Sequence, residues 1–199
     1  MATTVVGLIG LKQSGKDTFA QRLVAEHGFT RLALADPLKK LALSLNPHIG
    51  YDTNYLQDVT LRQVIDRYGW DRAKEEFPAV RQLLQNLGVS VREYVGKDAW
   101  LQNLATRASW IGGPVVVTDI RFNNEADWVV GTGGHLVRIK RSDLANTDTH
   151  VSENELAARI TQHVVHNDST VADLHRTADL FAERLTDLGL LPRPLALGV

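Results

Sequence analysis

The chain has 199 residues, 44% hydrophobic and 23% charged, with a formal net charge of −1. That length fits one α/β domain with a full core, or a core plus a small insert, and the near-zero charge gives no global field to hold the protein on nucleic acid or a membrane. There is no cysteine, which excludes disulfides and thiolate zinc sites and allows a cytoplasmic setting.

Met1-Ala2-Thr3-Thr4 carries no basic leader, and the apolar run Val5–Leu11 is too short to cross a bilayer. Val5–Ile9, closed by Gly10, predicts a buried parallel strand. Phe19, Ala20, Leu23 and Val24 recur at helical spacing, and Gly28 stops that helix. Thr30–Leu34 predicts a second strand. Asp36-Pro37 reads as an N-cap followed by proline at the first helical position. The helix it opens has Leu38, Leu41, Ala42 and Leu45 as its buried face, and Asn46-Pro47 ends it. Residues 48–59 are polar and expected to be irregular. Thr60 and Gln63 form a capping box for a helix carrying Leu61, Val64, Ile65 and Tyr68. A helix follows Pro78, with Val80, Leu83, Leu84 and Leu87 inward and Gly88 as its stop, and another runs from about Asp98 to Ser109. Val115–Thr118 predicts a β-branched strand. A short helix over 124–130, strands at Leu136–Ile139 and Val164–His166, and a long helix marked by Val171, Leu174, Ala178, Phe181 and Leu185 complete the chain. The tail from Gly189, with Pro192 and Pro194, is expected to be irregular. Strands and helices alternate outside an all-helical stretch at about 37–109, which predicts a parallel sheet covered on both faces and a substrate-holding subdomain over one edge.

Gly10-Leu11-Lys12-Gln13-Ser14-Gly15-Lys16-Asp17-Thr18 lies between the first strand and the first helix. A glycine-rich turn in that place can cradle phosphate oxygens with its backbone N–H groups and the helix N-terminus. Lys12, Gln13, Ser14, Gly15, Lys16, Asp17 and Thr18 are therefore the candidate ATP-binding residues, with Lys16 reaching the β- and γ-phosphates. The usual pattern has Ser or Thr directly after the lysine. Here Asp17 stands there and Thr18 follows, so Thr18, Asp17 through water, or both are candidate Mg²⁺ ligands. Such a pattern arises by chance in a chain this long on the order of once in a hundred. The bland alternative is a structural turn with a surface lysine.

This loop resembles that of the phage-type deoxynucleoside monophosphate kinases. Leu34-Ala35-Asp36-Pro37-Leu38-Lys39, Arg81-Gln82-Leu83-Leu84-Gln85-Asn86-Leu87-Gly88 and Val117-Thr118-Asp119-Ile120-Arg121-Phe122-Asn123-Asn124-Glu125 are similar to segments of that family in the same order. The resemblance spans about residues 5–167. It implies a three-layer P-loop NTPase fold with a five-stranded parallel sheet, a helical monophosphate-binding region and a mobile lid. It also implies transfer of the ATP γ-phosphoryl to a deoxynucleoside 5′-monophosphate with Mg²⁺, for DNA precursor supply. The location would be the cytoplasm, that of the host if the chain is phage-encoded. On this reading the core is 1–36 and 110–188, the helical region about 37–109 and the lid about 140–153.

Several residues outside the loop are weighed against ordinary structural roles. Asp119 ends a strand at the carboxyl edge, where it can hold Mg²⁺ through water or orient the acceptor; its alternative is a helix cap. Arg121 is expected to face the phosphates rather than solvent. Asp36, Lys39, Trp70, Gln85 and Arg92, with Asp119, are the candidate acceptor-binding residues. Gln85 can read a base edge, Arg92 a phosphate, and Trp70 or Trp100 can stack, although helices carry exposed Gln and Arg and cores carry Trp. Tyr68 or Trp70 can wall off a ribose 2′ position. Arg138 and Arg141 lead from a strand into the polar stretch 142–152 and are candidate lid arginines for the transferring phosphoryl. The catalytic set is thus Lys16, Arg121, Arg138 and Arg141. The expected partners are small-molecule nucleotides, with no nucleic acid or membrane; a homodimer is left open. Rival readings are a dephospho-coenzyme A kinase-like enzyme and a nucleotide-binding switch. The absence of an Asn-Lys-x-Asp motif argues against a regulatory GTPase.

Overall fold

A computed structural model describes residues 3–144 and 155–192. Most of the expected lid, and the tail with Pro194, lie outside the described residues. The chain divides into two compact units, Met1–Ala33 with Leu104–Val199, and Leu34–Asn103.

The first unit is built on β1 (Val5–Ile9), α1 (Lys16–His27), β2 (Thr30–Leu32), β5 (Val115–Val117), α6 (Asn123–Gly131), β6 (His135–Lys140), β7 (His163–His166) and α7 (Val171–Asp187). The five strands form one parallel sheet in the order β2-β5-β1-β6-β7. β1 and β5 are buried throughout, as strands covered on both faces must be. On one side of the sheet Phe19, Leu23, Leu174 and Phe181 join Val6, Leu8, Val116 and Ile139 in a single core, with the Phe19 and Phe181 rings 5.8 Å apart. Arg22 and His27 of α1 both reach Asp179 of α7 at 2.8 Å. β1 sends its chain through α1 toward β2, whereas its neighbour β5 sends its chain through α6 toward β6 on the other side. The carboxyl ends of β1 and β5 are therefore the switch point, where ligands of open α/β sheets bind.

The second unit contains α2 (Ala35–Leu45), β3 (His48–Asp52), β4 (Gln57–Thr60), α3 (Leu61–Glu76), α4 (Pro78–Tyr94) and the start of α5 (Ala99–Ser109). Ala42, Val59, Leu61, Val64, Ala73 and Val80 are its core, with Leu83, Leu84 and Leu87 packed against them. The Thr60–Gln63 capping box forms, the Thr60 N–H donating to Gln63 Oε1 at 2.9 Å.

Four expectations change. Residues 48–60 are an antiparallel hairpin, so 37–109 is not all helical. The hairpin buries Val59 and Asp52 while its other side chains stay at least partly exposed, which left little apolar signal to read. Helix α2 starts at Ala35, which makes Asp36 a first-turn acid rather than the cap. Gly88 lies inside α4, which continues to Tyr94; its carbonyl accepts from Trp100 Nε1 at 3.2 Å. Leu45 points to solvent, at 59% exposure.

Candidate active site

The loop after β1 turns where side chains cannot fit. A Cβ on Gly10 would collide with Ile139 O and lie 2.7 Å from Ser14 Oγ. Gly15, at φ 102°, caps α1 in a conformation that costs any other residue. Gln13 also has positive φ, at 64°. The Ser14 N–H donates back to Leu11 O at 3.2 Å and closes the turn. Lys16 Nζ folds over it and donates to Gly10 O at 2.6 Å and Leu11 O at 2.7 Å. Ser14 is 1% exposed and its hydroxyl has no hydrogen-bond partner among the described residues. An unmade buried hydrogen bond costs about 1–3 kcal/mol. A cradle too tight for a Cβ, an ammonium held on carbonyls and a hydroxyl awaiting a partner fit a phosphate chain.

Of the two candidate metal side chains in α1, Thr18 is half-buried and Asp17 exposed. Asp17 also lies in the first turn, where its charge complements the helix dipole. Lys12 is exposed.

Gly7 pairs with Val117, so the loops after β1 and β5 leave the same edge of the sheet. Asp119 is half-buried there and Arg121 exposed. Glu125, 3% exposed, accepts from the N–H groups of Arg121 at 2.8 Å and Phe122 at 3.0 Å. It thereby fixes the backbone that carries Arg121 and opens α6.

Arg138 does not leave the strand as expected. It sits inside β6 beside Ile9, and its guanidinium donates to Leu156 O and Arg159 O, both at 2.7 Å. Burial lowers its pKa from the usual arginine range. Arg159 in turn pairs with Asp127 at 2.7 Å, and Glu155 accepts from the Asn123 N–H at 2.7 Å. Arg138 thus holds the chain segment on the far side of the expected lid. Arg141 is exposed and paired with Asp143 at 2.9 Å.

In the second unit Asp36, Trp70, Gln85 and Arg92 are all half-buried. Lys39 Nζ stands 5.5 Å from the Trp70 ring centre, a cation–π contact that spends one face of the indole. Tyr68 OH donates to Asp52 at 2.8 Å. Asp52 is 1% exposed, also accepts from the Asn54 N–H at 2.9 Å, and meets Arg67 at 3.4 Å. Burial pushes its carboxyl up, but these hydrogen bonds and Arg67 outweigh burial and hold it below the usual range.

A family model described as deoxynucleotide monophosphate kinase matches residues 65–178, more than half of the chain. The chain belongs to the deoxynucleotide monophosphate kinase family. A protein of Acanthamoeba polyphaga mimivirus, whose name assigns it provisionally to the same activity, is 31% identical over 166 residues, covering 76% of this chain and 81% of the relative. Among solved structures, TT1252 from Thermus thermophilus aligns over 93% of this chain and 99% of its own at 16% identity and TM-score 0.49. Dephospho-CoA kinase from Campylobacter jejuni aligns over 93% and 98% at 12% identity and TM-score 0.49.

The protein is a nucleotide kinase, then, and three of its polar residues escaped the sequence reading. Asp52 lay in a stretch expected to be irregular. Glu125 was visible as the acid three residues after Phe122, the spacing of a capping box, although Phe122 itself offers no capping side chain. Asn167 donates from Nδ2 to Ser14 O at 2.9 Å across 153 residues, and no local pattern signals that. Among the described residues no group of three or more His, Cys, Asp and Glu is arranged to hold a metal by itself, and no helix is long and apolar enough to cross a membrane.

Proposed function

We propose that this kinase transfers the γ-phosphoryl of ATP to a deoxynucleoside 5′-monophosphate, giving the diphosphate and ADP, with Mg²⁺, in the supply of DNA precursors. The observation that carries the reading is the loop itself: Ser14 buried with no partner for its hydroxyl among the described residues, Gly10 and Gly15 too confined for side chains, and Lys16 turned onto loop carbonyls. In the reading Lys16 leaves Gly10 O and Leu11 O for the β- and γ-phosphate oxygens, and backbone N–H groups of residues 13–16 hold the rest of the chain of phosphates. Thr18, with Asp17 and Asp119 through water, would hold Mg²⁺, which supplies charge neutralisation on the phosphates. Arg121, on the backbone that Glu125 fixes, would add positive charge as the acceptor oxygen bonds to the γ-phosphorus and the bond to the ADP oxygen breaks. The acceptor phosphate is already an anion, so positioning and electrostatics suffice and no general base is needed. Arg141 and the expected lid at about 140–153 would exclude water. Arg138 is assigned to holding residues 156–159, and through them the lid's far end.

Asp36, Lys39, Trp70, Gln85 and Arg92 are proposed for the acceptor. Stacking accepts any base, whereas strong discrimination needs a dedicated buried hydrogen-bonding group for each edge. Gln85 is the one amide proposed there, so more than one base should be accepted. With the Tyr68 hydroxyl occupied by Asp52, Trp70 is the better wall against a 2′-hydroxyl. The test is ADP release measured for each deoxynucleoside monophosphate and its ribonucleotide partner at fixed ATP and Mg²⁺. Higher kcat/KM for the deoxynucleotides, with several bases turned over, is expected. Equal or better ribonucleotide values refute the deoxy preference, and turnover of an unrelated alcohol alone moves the acceptor to another class.

A further inference from the structure

The phosphate loop is braced from the far edge of the sheet. Asn167 follows β7 directly, and its backbone N–H donates to Lys140 O at 2.8 Å, which fixes it at the end of the β6–β7 ladder. The next residue, Asp168, accepts from the Ser142 N–H at 2.6 Å and the Ser142 hydroxyl at 3.0 Å. From this anchored position the Asn167 carboxamide does two things. Its Nδ2 donates to Ser14 O at 2.9 Å. The same atom lies 2.5 Å from where a Cβ on Gly15 would be, so it rests against the bare Cα of that glycine.

The consequence follows from peptide geometry. The Ser14–Gly15 bond is trans, as are the other peptide bonds among the described residues. In a planar trans amide the carbonyl and the N–H point in opposite directions. Holding the Ser14 carbonyl toward Asn167 therefore holds the Gly15 N–H on the opposite side. Glycine at φ 102° gives this peptide little resistance of its own to flipping. We propose that Asn167 is a positioning residue for phosphoryl transfer: it locks the Ser14–Gly15 peptide plane so that the Gly15 N–H faces the phosphates of ATP. The proposal rests on the assignment of ATP to this loop. It needs no contact between Asn167 and the nucleotide.

Asn167→Leu keeps the side-chain shape without the donor or any charge, and Asn167→Asp puts an oxygen against the Ser14 carbonyl. Three quantities are measured in each: the Kd of ATP without acceptor, KM for each substrate, and Tm. A hydrogen bond from a backbone N–H to a charged group is worth roughly a tenfold change in affinity. The expected result is a rise of about tenfold in the Kd and KM of ATP in both variants, with the acceptor KM within about twofold and Tm lowered only as far as one lost hydrogen bond requires. Lys16→Ala runs in parallel. If Lys16→Ala weakens ATP binding and Asn167→Leu does not, the brace is wrong and the loop assignment stands. An effect in Asn167→Asp alone would be charge repulsion and also overturns the proposal. Loss of activity with a lowered Tm and unchanged ATP KM would make Asn167 merely structural. If Lys16→Ala leaves ATP affinity intact, the loop assignment falls and the brace with it.

Discussion

The hairpin side of the second unit and the carboxyl edge of the first unit's sheet treat their polar groups in opposite ways. In the second unit they are spent on one another: Asp52 on Tyr68, Asn54 and Arg67, and Lys39 on the face of Trp70. In the first unit the sheet edge collects groups that prepare a place for something else. Ser14 is buried with no partner for its hydroxyl among the described residues, Lys16 is parked on carbonyls, and Glu125 holds the backbone N–H groups of Arg121 and Phe122. The difference teaches where chemistry sits. Closed networks rigidify, whereas a buried polar atom left unsatisfied marks the place where a ligand is expected.

The sharpest way to break that contrast is Lys16→Ala. Removing one charge-bearing donor from a preorganised phosphoryl-transfer site should lower turnover by about 10²-fold or more, while the fold survives. Comparable turnover in a folded variant ends the assignment of the loop. Glu125→Ala should come next. It deprives the Arg121 and Phe122 N–H groups of an acceptor, so kcat should fall by about tenfold and stability by about 1–2 kcal/mol. Glu125→Gln retains an acceptor oxygen and should recover most of both. A Glu125→Ala protein with normal kcat and lowered Tm would leave Glu125 a cap with no bearing on Arg121.

Asp52→Asn probes the closed network. It weakens the bonds from Tyr68 and Arg67 and should lower Tm, with faster amide exchange confined to residues 48–76. The KM of ATP should not move. A rise in that KM would show that the units do not divide their work as these polar groups suggest.

The legible parts of this molecule were those whose signals are local. Val5–Ile9 and Val115–Val117 are unbroken β-branched or apolar runs, and the glycine loop between strand and helix has its own spacing. The hairpin at 48–60 was not legible because its inward set includes a carboxylate, so alternation of apolar and polar residues fails where it should be clearest. Gly88 looked like a helix stop because helix ends favour glycine, yet its φ is not positive and α4 simply continues through it. Arg138 looked like a lid residue because it stands close to the polar stretch 142–152, and nothing local shows that its guanidinium turns onto the carbonyls of Leu156 and Arg159. Asn167 and Glu155 act through contacts with Ser14 and Asn123 that only the folded chain brings together.

The smallest expected effect concerns the opposite edge of the sheet. His135 and His163 open β6 and β7, and their rings meet at 3.2 Å between Nδ1 and Nε2. Burial first, then the positive charge of Arg184, lowers the pKa of His135. Burial, His135 and Arg184, in that order, lower that of His163, whose ring also lies edge-on to Phe181 at 5.0 Å. Both folded-state values therefore lie below the unfolded value of about 6.5. As pH falls through about 6.5 the unfolded chain takes up protons that the folded chain refuses, and stability falls with it. Above that pH both states are neutral and the pair costs nothing. Asp179, held at about 2 by Arg22, adds its own loss only in far more acidic solution, so the two effects do not overlap. The prediction is a Tm that declines from pH 7.5 to pH 5 more steeply in the native chain than in a His135→Gln/His163→Gln variant. The KM of ATP at a given pH should be the same in both, because this edge is the amino end of the sheet and the phosphate loop leaves the carboxyl end. Parallel Tm profiles would mean that the two rings do not resist protonation, and a change in ATP KM would tie the two edges of the sheet together.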